Sequence, residues 1–313
     1  MAMHVLGIDA GATKTVCYLA GEDGRVIGEG RGGGANLLAD GEPGVETVLR
    51  TVMDGARAGR EGDVDAICLG MAGVDRARDG AVVRGIMRRL GARARTLVVN
   101  DALLALVAGA GDSPGIVVIS GTGSIAYGRN ARDEAARAGG WGHVLADEGS
   151  GYWIGRRALQ AVARAADGRG PATRLSAKVF AHFGVSELSD LLYEVYERPL
   201  RHSALARLAR TVQEACDEGD EAAGRILEQA ADELATAARS VAERLKLQQE
   251  AFDLVFAGGV FQAVPWLAGE LEHRLAAIAP RARVVRLAVE PAAGAVRLAL
   301  AEAKGGARVP AYL

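Results

Sequence analysis

The stretch VLGIDAGATKTVCYLA, residues 5–20, decides how the chain folds. Val5 to Ile8 is an apolar run that ends at Asp9. After the turn Gly11-Ala12-Thr13-Lys14 the chain resumes as Thr15 to Ala20, rich in β-branched and aromatic residues, which predicts a β-hairpin. Asp23-Gly24 marks a tight turn into Val26 to Gly30 and extends the hairpin to a three-stranded meander. Gly32-Gly33-Gly34-Ala35-Asn36 reads as a loop, because so many glycines do not favour regular structure.

The hairpin pattern returns further along the chain. Past the turn signal Asp112-Ser113-Pro114-Gly115, a strand Ile116 to Ile119 leads into Ser120-Gly121-Thr122-Gly123-Ser124 and a second strand to Gly128. Two similar strand-turn-strand units suggest two lobes that present similar loops to one ligand. Each loop joins two strands, where amides and hydroxyls can surround a phosphate and Asp9 can face a hydrated magnesium ion. An ordinary glycine turn fits the same residues. Neither loop is a G-x-x-x-x-G-K-[ST] run nor a G-x-G-x-x-G that opens a helix, so a nucleotide site here belongs to another fold.

Between and beyond the loops, strands and helices alternate. Helical spacing from Pro43 to about Ala58, a strand at Ala66 to Gly70, a helix over Gly80 to Leu90 and a strand at Thr96 to Val99 extend the first sheet. A helix follows directly from Ala102. Residues 152 to 247 are mainly helical, and Leu227, Ala230, Leu234, Ala237, Val241 and Leu245 form a core stripe. Strands at Phe252 to Ala257 and Val284 to Leu287, a closing helix from Ala292 to Ala303 and a loose tail from Gly305 complete the chain.

Bulk properties bound the function. At 313 residues two lobes are expected, and 50% hydrophobic with 24% charged residues suits a folded protein with large cores. A net charge of −2 supplies no basic field for nucleic acid. Cys17, Cys68 and Cys216 lack metal-ligand spacing and read as reduced thiols of a cytoplasmic protein. The N-terminus reaches a glycine turn before a signal sequence could form, and no apolar run is long enough to span a bilayer, so neither export nor a membrane partner is expected.

Three further places carry candidate chemistry. Asp101 stands where a strand gives way to a helix, either as an N-cap or as a carboxylate that accepts a proton from a substrate hydroxyl. Gly139-Gly140-Trp141-Gly142-His143 followed by Asp147-Glu148-Gly149-Ser150-Gly151 gathers amides, an aromatic ring and carboxylates, a combination that suits a sugar. Gly258-Gly259-Val260 after a buried strand could let adenine and ribose lie on the backbone, or simply end the strand.

Taken in order, these features resemble the superfamily of sugar kinases, heat-shock ATPases and actin. The runs GTGS, GGWGH and DEGSGYWIG are similar to the N-acetylglucosamine kinase branch of the BadF/BadG/BcrA/BcrD ATPase family, from Gly7 to the closing helix near Glu290-Pro291. The resemblance implies an α/β, two-lobed, actin-like ATPase fold of ribonuclease H-like sheets, duplicated around an interlobe cleft. One lobe would be residues 1–112 joined by the closing helix 292–305, the other 113–291. It implies ATP and Mg2+ as cofactors, with Asp9, Gly11, Thr13 and Lys14 as the first phosphate loop and Asp9 reaching the metal through water. Gly121, Thr122, Gly123 and Ser124 would be the second loop, and Gly258 and Gly259 the adenosine loop. Asp101 would be the catalytic base. Asn36, Asp101, Gly140 (through its amide), Trp141 and Asp147 would contact the sugar, while Ala72 departs from relatives that carry a hydroxyl residue there.

The implied reaction transfers the γ-phosphoryl group to the 6-hydroxyl of N-acetylglucosamine, with glucosamine or N-acetylmuramic acid as alternative acceptors. A homodimer is compatible with the family. The rival of another class is an ATPase activator of a 2-hydroxyacyl-CoA dehydratase, which needs interface cysteines for an iron-sulfur cluster. A sugar-responsive regulator would bring an added DNA-binding segment.

Overall fold

The computed structural model describes residues 3–60, 62–74, 77–198 and 200–313. The opening hairpin forms as β1 (His4–Ala10) and β2 (Lys14–Gly21), with β3 (Val26–Gly33) paired antiparallel to β2. The expected loop at Gly32-Gly33 is instead the end of β3: Gly32 and Gly33 pair with Thr15 and Lys14. Ladder hydrogen bonds there outweigh the weak strand preference of glycine.

Helix α1 (Leu37–Arg57) is broken at Gly41, where φ is 64°, and its second part opens at Pro43 as the spacing predicts. Strands β4 (Ala66–Met71) and β5 (Arg95–Asn100), joined by α2 (Ala77–Arg89), add in parallel to give the order β3-β2-β1-β4-β5. Helix α3 (Asp101–Ala110) follows β5 without a break.

The second sheet repeats the plan. β6 (Gly115–Ser120), β7 (Ser124–Arg129) and β8 (Glu134–Gly139) form an antiparallel meander, and β9 (Phe252–Ala257) and β10 (Ala282–Arg286) extend it in parallel. Between β8 and β9 run α4 (Gly151–Ala166), α5 (Leu175–Phe183), α6 (Leu188–Tyr196), α7 (His202–Ala206), α8 (Leu208–Asp217) and α9 (Glu221–Arg244). Helices α10 (Val260–Ala263) and α11 (Pro265–Ile278) lie between β9 and β10, and α12 (Ala292–Ala303) closes the helical set.

β8 was not legible in the sequence, because EAARAG has little β-propensity. The tail is not loose at its end: β11 (Ala311–Tyr312) pairs with β8, and the Tyr312 ring stands edge-on to Tyr127 with centroids 6.0 Å apart.

Helices α3 and α12 lie between the sheets. Their apolar residues form one core with Val5, Ala66, Cys68 and Val99 of the first sheet and Val117, Tyr127, Ala135 and Val255 of the second. α3 is apolar on all sides for that reason. A Cβ at Gly7 would lie 2.4 Å from the Val296 backbone nitrogen, so glycine permits the close seat of α12 on β1. The outer face of the first sheet carries α1 and α2, while the helices between β8 and β9, with α11, cover the second.

Candidate active site

The strand register fixes where the chemistry can occur. Ala10, Met71 and Asn100 stand level on parallel β1, β4 and β5, which puts Asp9 and Asp101 at the carboxyl edge of the first sheet. Ile119 and Ala257 stand level in the second sheet, so Ser120 to Ser124 and Gly258-Gly259 leave from its carboxyl edge. In open α/β sheets ligands collect at this edge.

The two turns meet. Thr13 Oγ1 and Thr122 Oγ1 lie 2.9 Å apart across 109 residues of sequence. Each turn closes on itself: the Gly11 amide donates to the Lys14 carbonyl at 3.0 Å and the Gly121 amide to the Gly123 carbonyl at 2.9 Å. Two threonine hydroxyls at facing turn tips can serve one polyanion.

Asp9 is 8% exposed. Burial first, then the field of Asp101, raises its carboxyl from the ordinary 3.8 to about 7; Glu290 adds to the rise and Lys14 opposes it. A crowded buried carboxylate of this kind gains from a divalent cation, so the residues fit a magnesium ion bound mainly by phosphate and water.

Asp101 does not cap its helix. Asn100 does, with Oδ1 accepting from the Ala102 amide at 2.8 Å, so the cap reading of Asp101 falls. Asn36 lies beside the first turn, because the Ala35 amide donates to the Gly11 carbonyl at 3.0 Å. The Asn36 amide itself donates to Asp40 Oδ2 at 2.9 Å. Ala72 continues from β4, its amide donating to the Ala10 carbonyl at 3.2 Å.

The segment after β8 folds onto the second turn. The Ser124 amide donates to Asp147 Oδ1 at 3.2 Å, Ser124 Oγ to the Glu148 carbonyl at 2.7 Å, and Ser120 Oγ to the Gly149 carbonyl at 2.7 Å. Gly151 and Tyr152 donate to the Gly121 and Thr122 carbonyls at 2.8 and 3.3 Å. Asp147 adopts a φ of 70°, uncommon for a residue with a side chain, and burial pushes its carboxyl above the usual range against the pull of the Ser124 amide. The Ser150 hydroxyl caps α4, accepting from the Trp153 amide at 3.1 Å.

Two expectations meet a different geometry. The Gly140 amide donates to the Ser124 carbonyl at 3.0 Å, so strand pairing takes the donor expected to face the sugar. Ser124 uses both its donors within the protein, which leaves its oxygen as an acceptor. Trp141 is 57% exposed, with the Arg137 guanidinium 3.9 Å above its ring.

Lys14 Nζ meets both oxygens of Glu290, at 2.7 and 2.9 Å, and Arg31 donates to the same carboxylate at 3.2 Å. Glu290 precedes α12 and was not singled out in the sequence, since only the fold brings it 276 residues back to the first turn. Gly258, with φ 105°, lies so close to the second turn that a Cβ would stand 2.2 Å from the Ser120 carbonyl oxygen. A separate surface concavity lined by Gly184, Val185, Asp190 and Tyr193 holds none of these residues.

A model of the BadF/BadG/BcrA/BcrD ATPase family matches residues 6–299. The chain belongs to that family. It is 36% identical over 289 residues to an N-acetylmuramic acid/N-acetylglucosamine kinase of Clostridium acetobutylicum, an alignment covering 91% of this chain and 94% of that one. It is 33% identical over 294 residues to an N-acetyl-D-glucosamine kinase of Dictyostelium discoideum, covering 90% and 92%. The solved structure of a candidate N-acetylglucosamine kinase from Chromobacterium violaceum superposes with a TM-score of 0.73 at 27% identity, covering 95% of this chain and 99% of that one. The chain thus has the two-lobed α/β fold of actin-like sugar kinases and is a kinase-like phosphotransferase. Among the described residues no helix is long and apolar enough to cross a membrane.

Proposed function

We propose that the protein is a cytoplasmic, ATP-dependent amino-sugar kinase that transfers the γ-phosphoryl group to the 6-hydroxyl of N-acetylglucosamine. The observation that carries this reading is the 2.9 Å contact between Thr13 and Thr122, which brings two phosphate-type loops from opposite sheets to one point. The names of the relatives support the acceptor.

In this reading the lobes are residues 1–112 with 292–305, and 113–291. ATP lies between them, its phosphates against Thr13 and Thr122 and its adenosine against Gly258-Gly259. Lys14 reaches the phosphates once it leaves Glu290. Asp9 would hold Mg2+ through water, and that ion would screen the charge of the polyphosphate. Asn36, Trp141 and Asp147 hold the sugar. Asp101 accepts the proton of the 6-hydroxyl as its oxygen bonds to the γ-phosphorus and the bond to the β,γ-bridging oxygen breaks, leaving ADP.

A coupled ADP-release assay with N-acetylglucosamine, glucosamine, N-acetylmuramic acid and glucose tests the proposal. Sugar-dependent ADP release is expected, highest in kcat/KM with N-acetylglucosamine among the neutral and basic sugars. ADP release with none of them would overturn the kinase reading.

A further inference from the structure

Arg129, the last residue of β7, is only 1% exposed. Taking a guanidinium out of water is costly, and an apolar side chain of similar volume often fills such a place with no loss of stability. Its ion-pair partner, Asp112, is 3.8 Å away with a side chain that is 87% exposed, so the charge is not neutralised within the core. The donors of Arg129 go to backbone instead: Nε donates to the Ser113 carbonyl at 3.3 Å and Nη2 to the Gly111 carbonyl. The reaction above uses none of these groups.

Both carbonyls belong to the segment in which the chain passes from the first sheet to the second. α3 follows β5 and ends at Ala110, Gly111 turns with φ 63°, and Gly115 begins β6. A second guanidinium holds the same place. Arg297 Nη1 of α12 donates at 2.9 Å to the Val107 carbonyl, which also accepts the Gly111 amide at 3.0 Å. Two cations thus stand at the negative end of α3 and join it to β7 and α12. The opposite ends of the joined elements carry the candidate chemistry: α3 begins at Asp101, and β7 begins at Ser124, the last residue of the second turn. α3 has 10 residues and β7 has 6, so each is an arm of roughly 15 to 20 Å from joint to site. A rotation of roughly 5° between two such arms displaces their far ends by about 1 to 2 Å, and a misplacement of about 1 Å can cost about 10²-fold in rate.

We propose that Arg129 is a positioning residue for phosphoryl transfer: by holding the Gly111 and Ser113 carbonyls it fixes the angle between α3 and β7, and with it the placement of Asp101 relative to the second turn. The proposal rests on the amino-sugar kinase reading, in which Asp101 acts on the sugar hydroxyl and the second turn on the phosphates. The planar guanidinium holds two carbonyls of one segment in a rigid fork, which neither an apolar side chain nor a lysine reproduces. Arg129 touches no reacting atom, and its effect reaches the site through two elements. Transfer to the sugar therefore depends on this joint more than the binding of either substrate does. It also depends on it more than hydrolysis of ATP without sugar, which needs no hydroxyl aligned on Asp101.

The test measures kcat and both KM values with ATP and the preferred amino sugar, and ADP release without sugar, in the wild type, Arg129→Lys and Arg129→Gln, at a temperature where circular dichroism shows each folded. In Arg129→Gln kcat should fall about 10- to 100-fold while both KM values stay within about threefold, and the ratio of sugar-dependent to sugar-independent ADP release should fall about tenfold or more. Arg129→Lys, which keeps the charge and can reach one of the two carbonyls, should lie between Arg129→Gln and the wild type. A role confined to stability would lower both ADP-release rates in proportion to the folded fraction and leave their ratio unchanged. That result, losses in KM rather than kcat, or no recovery with lysine would overturn the positioning role and leave the kinase. Should neither Arg129 variant fold, Arg297→Gln decides: it removes the second guanidinium from the same helix end and should lower the ratio at least about threefold, and an unchanged ratio would overturn the proposal. Wild-type protein that releases no ADP with any amino sugar would sink the kinase reading and the positioning role together.

Discussion

Asp9→Asn isolates what the first loop costs the fold. In the folded protein the Asp9 carboxyl titrates at about 7 rather than the ordinary 3.8, because it is buried and faces Asp101 and Glu290. The folded state therefore holds this proton more tightly than the unfolded chain, and stability falls as pH rises between the two values. At about 1.36 kcal/mol per tenfold of proton affinity, an ionised Asp9 at pH 8 costs on the order of 4 kcal/mol, of which about 2 kcal/mol appears between pH 5.5 and 8. Asparagine matches the protonated acid in shape and removes this term. In urea unfolding without nucleotide or divalent metal, Asp9→Asn should be more stable than the wild type, and its advantage should widen by about 2 kcal/mol from pH 5.5 to 8. Mg2+ with ATP should then stabilise the wild type at pH 8 far more than the variant. An advantage that is constant with pH, or a variant less stable than the wild type at pH 8, would refute the view that Asp9 is a strained carboxylate waiting for a cation.

Other outcomes follow from the same geometry. Asp101→Asn should lower kcat by roughly 10² to 10⁴-fold with nucleotide binding retained, measured by single turnover and calorimetry; near-normal turnover would place the base elsewhere. Thr13→Val and Thr122→Val should each raise the KM for ATP by about fivefold, the equivalent of roughly 1 kcal/mol for a hydrogen bond, with little change in the sugar KM; an effect on sugar alone would separate the loops from the phosphates. Glu290→Gln removes a like charge from Asp9 and releases Lys14 toward it, so the pH midpoint of Mg–ATP binding should move down in calorimetry; a midpoint that rises or stays would contradict the shared field.

The opening hairpin was legible because both runs and the turn between them are local, and β1 and β2 form where the residue pattern puts them. The second hairpin was legible for the same reason. β8 and β11 were not, since Ala135, Ala136 and Tyr312 take their places through pairing with strands far off in sequence. The candidate site divides in the same way. Asp9, Thr13, Asp101, Thr122 and Asp147 sit in short motifs that announce themselves. Glu290 and Arg31 carry no local signal, because each gains its meaning from a partner on another element. Gly140 misled for the complementary reason: an amide in a glycine-rich run looks available until the strand it completes is known.

The lysine of the first loop makes the same point energetically. Read alone, Lys14 is a phosphate ligand, yet in this structure the Glu290 carboxylate holds it together with Arg31. Burial would raise the Glu290 carboxyl, but the hydrogen bonds from Lys14 and Arg31 outweigh it and the net shift is downward. Lys14 is 57% exposed at its side chain, so water screens this pair and the contact is weak enough to exchange. A polyphosphate with several charges can compete for the ammonium, while Arg31 remains to balance Glu290. The first loop is thereby tied to the segment that leads into α12, the helix that packs between the two sheets.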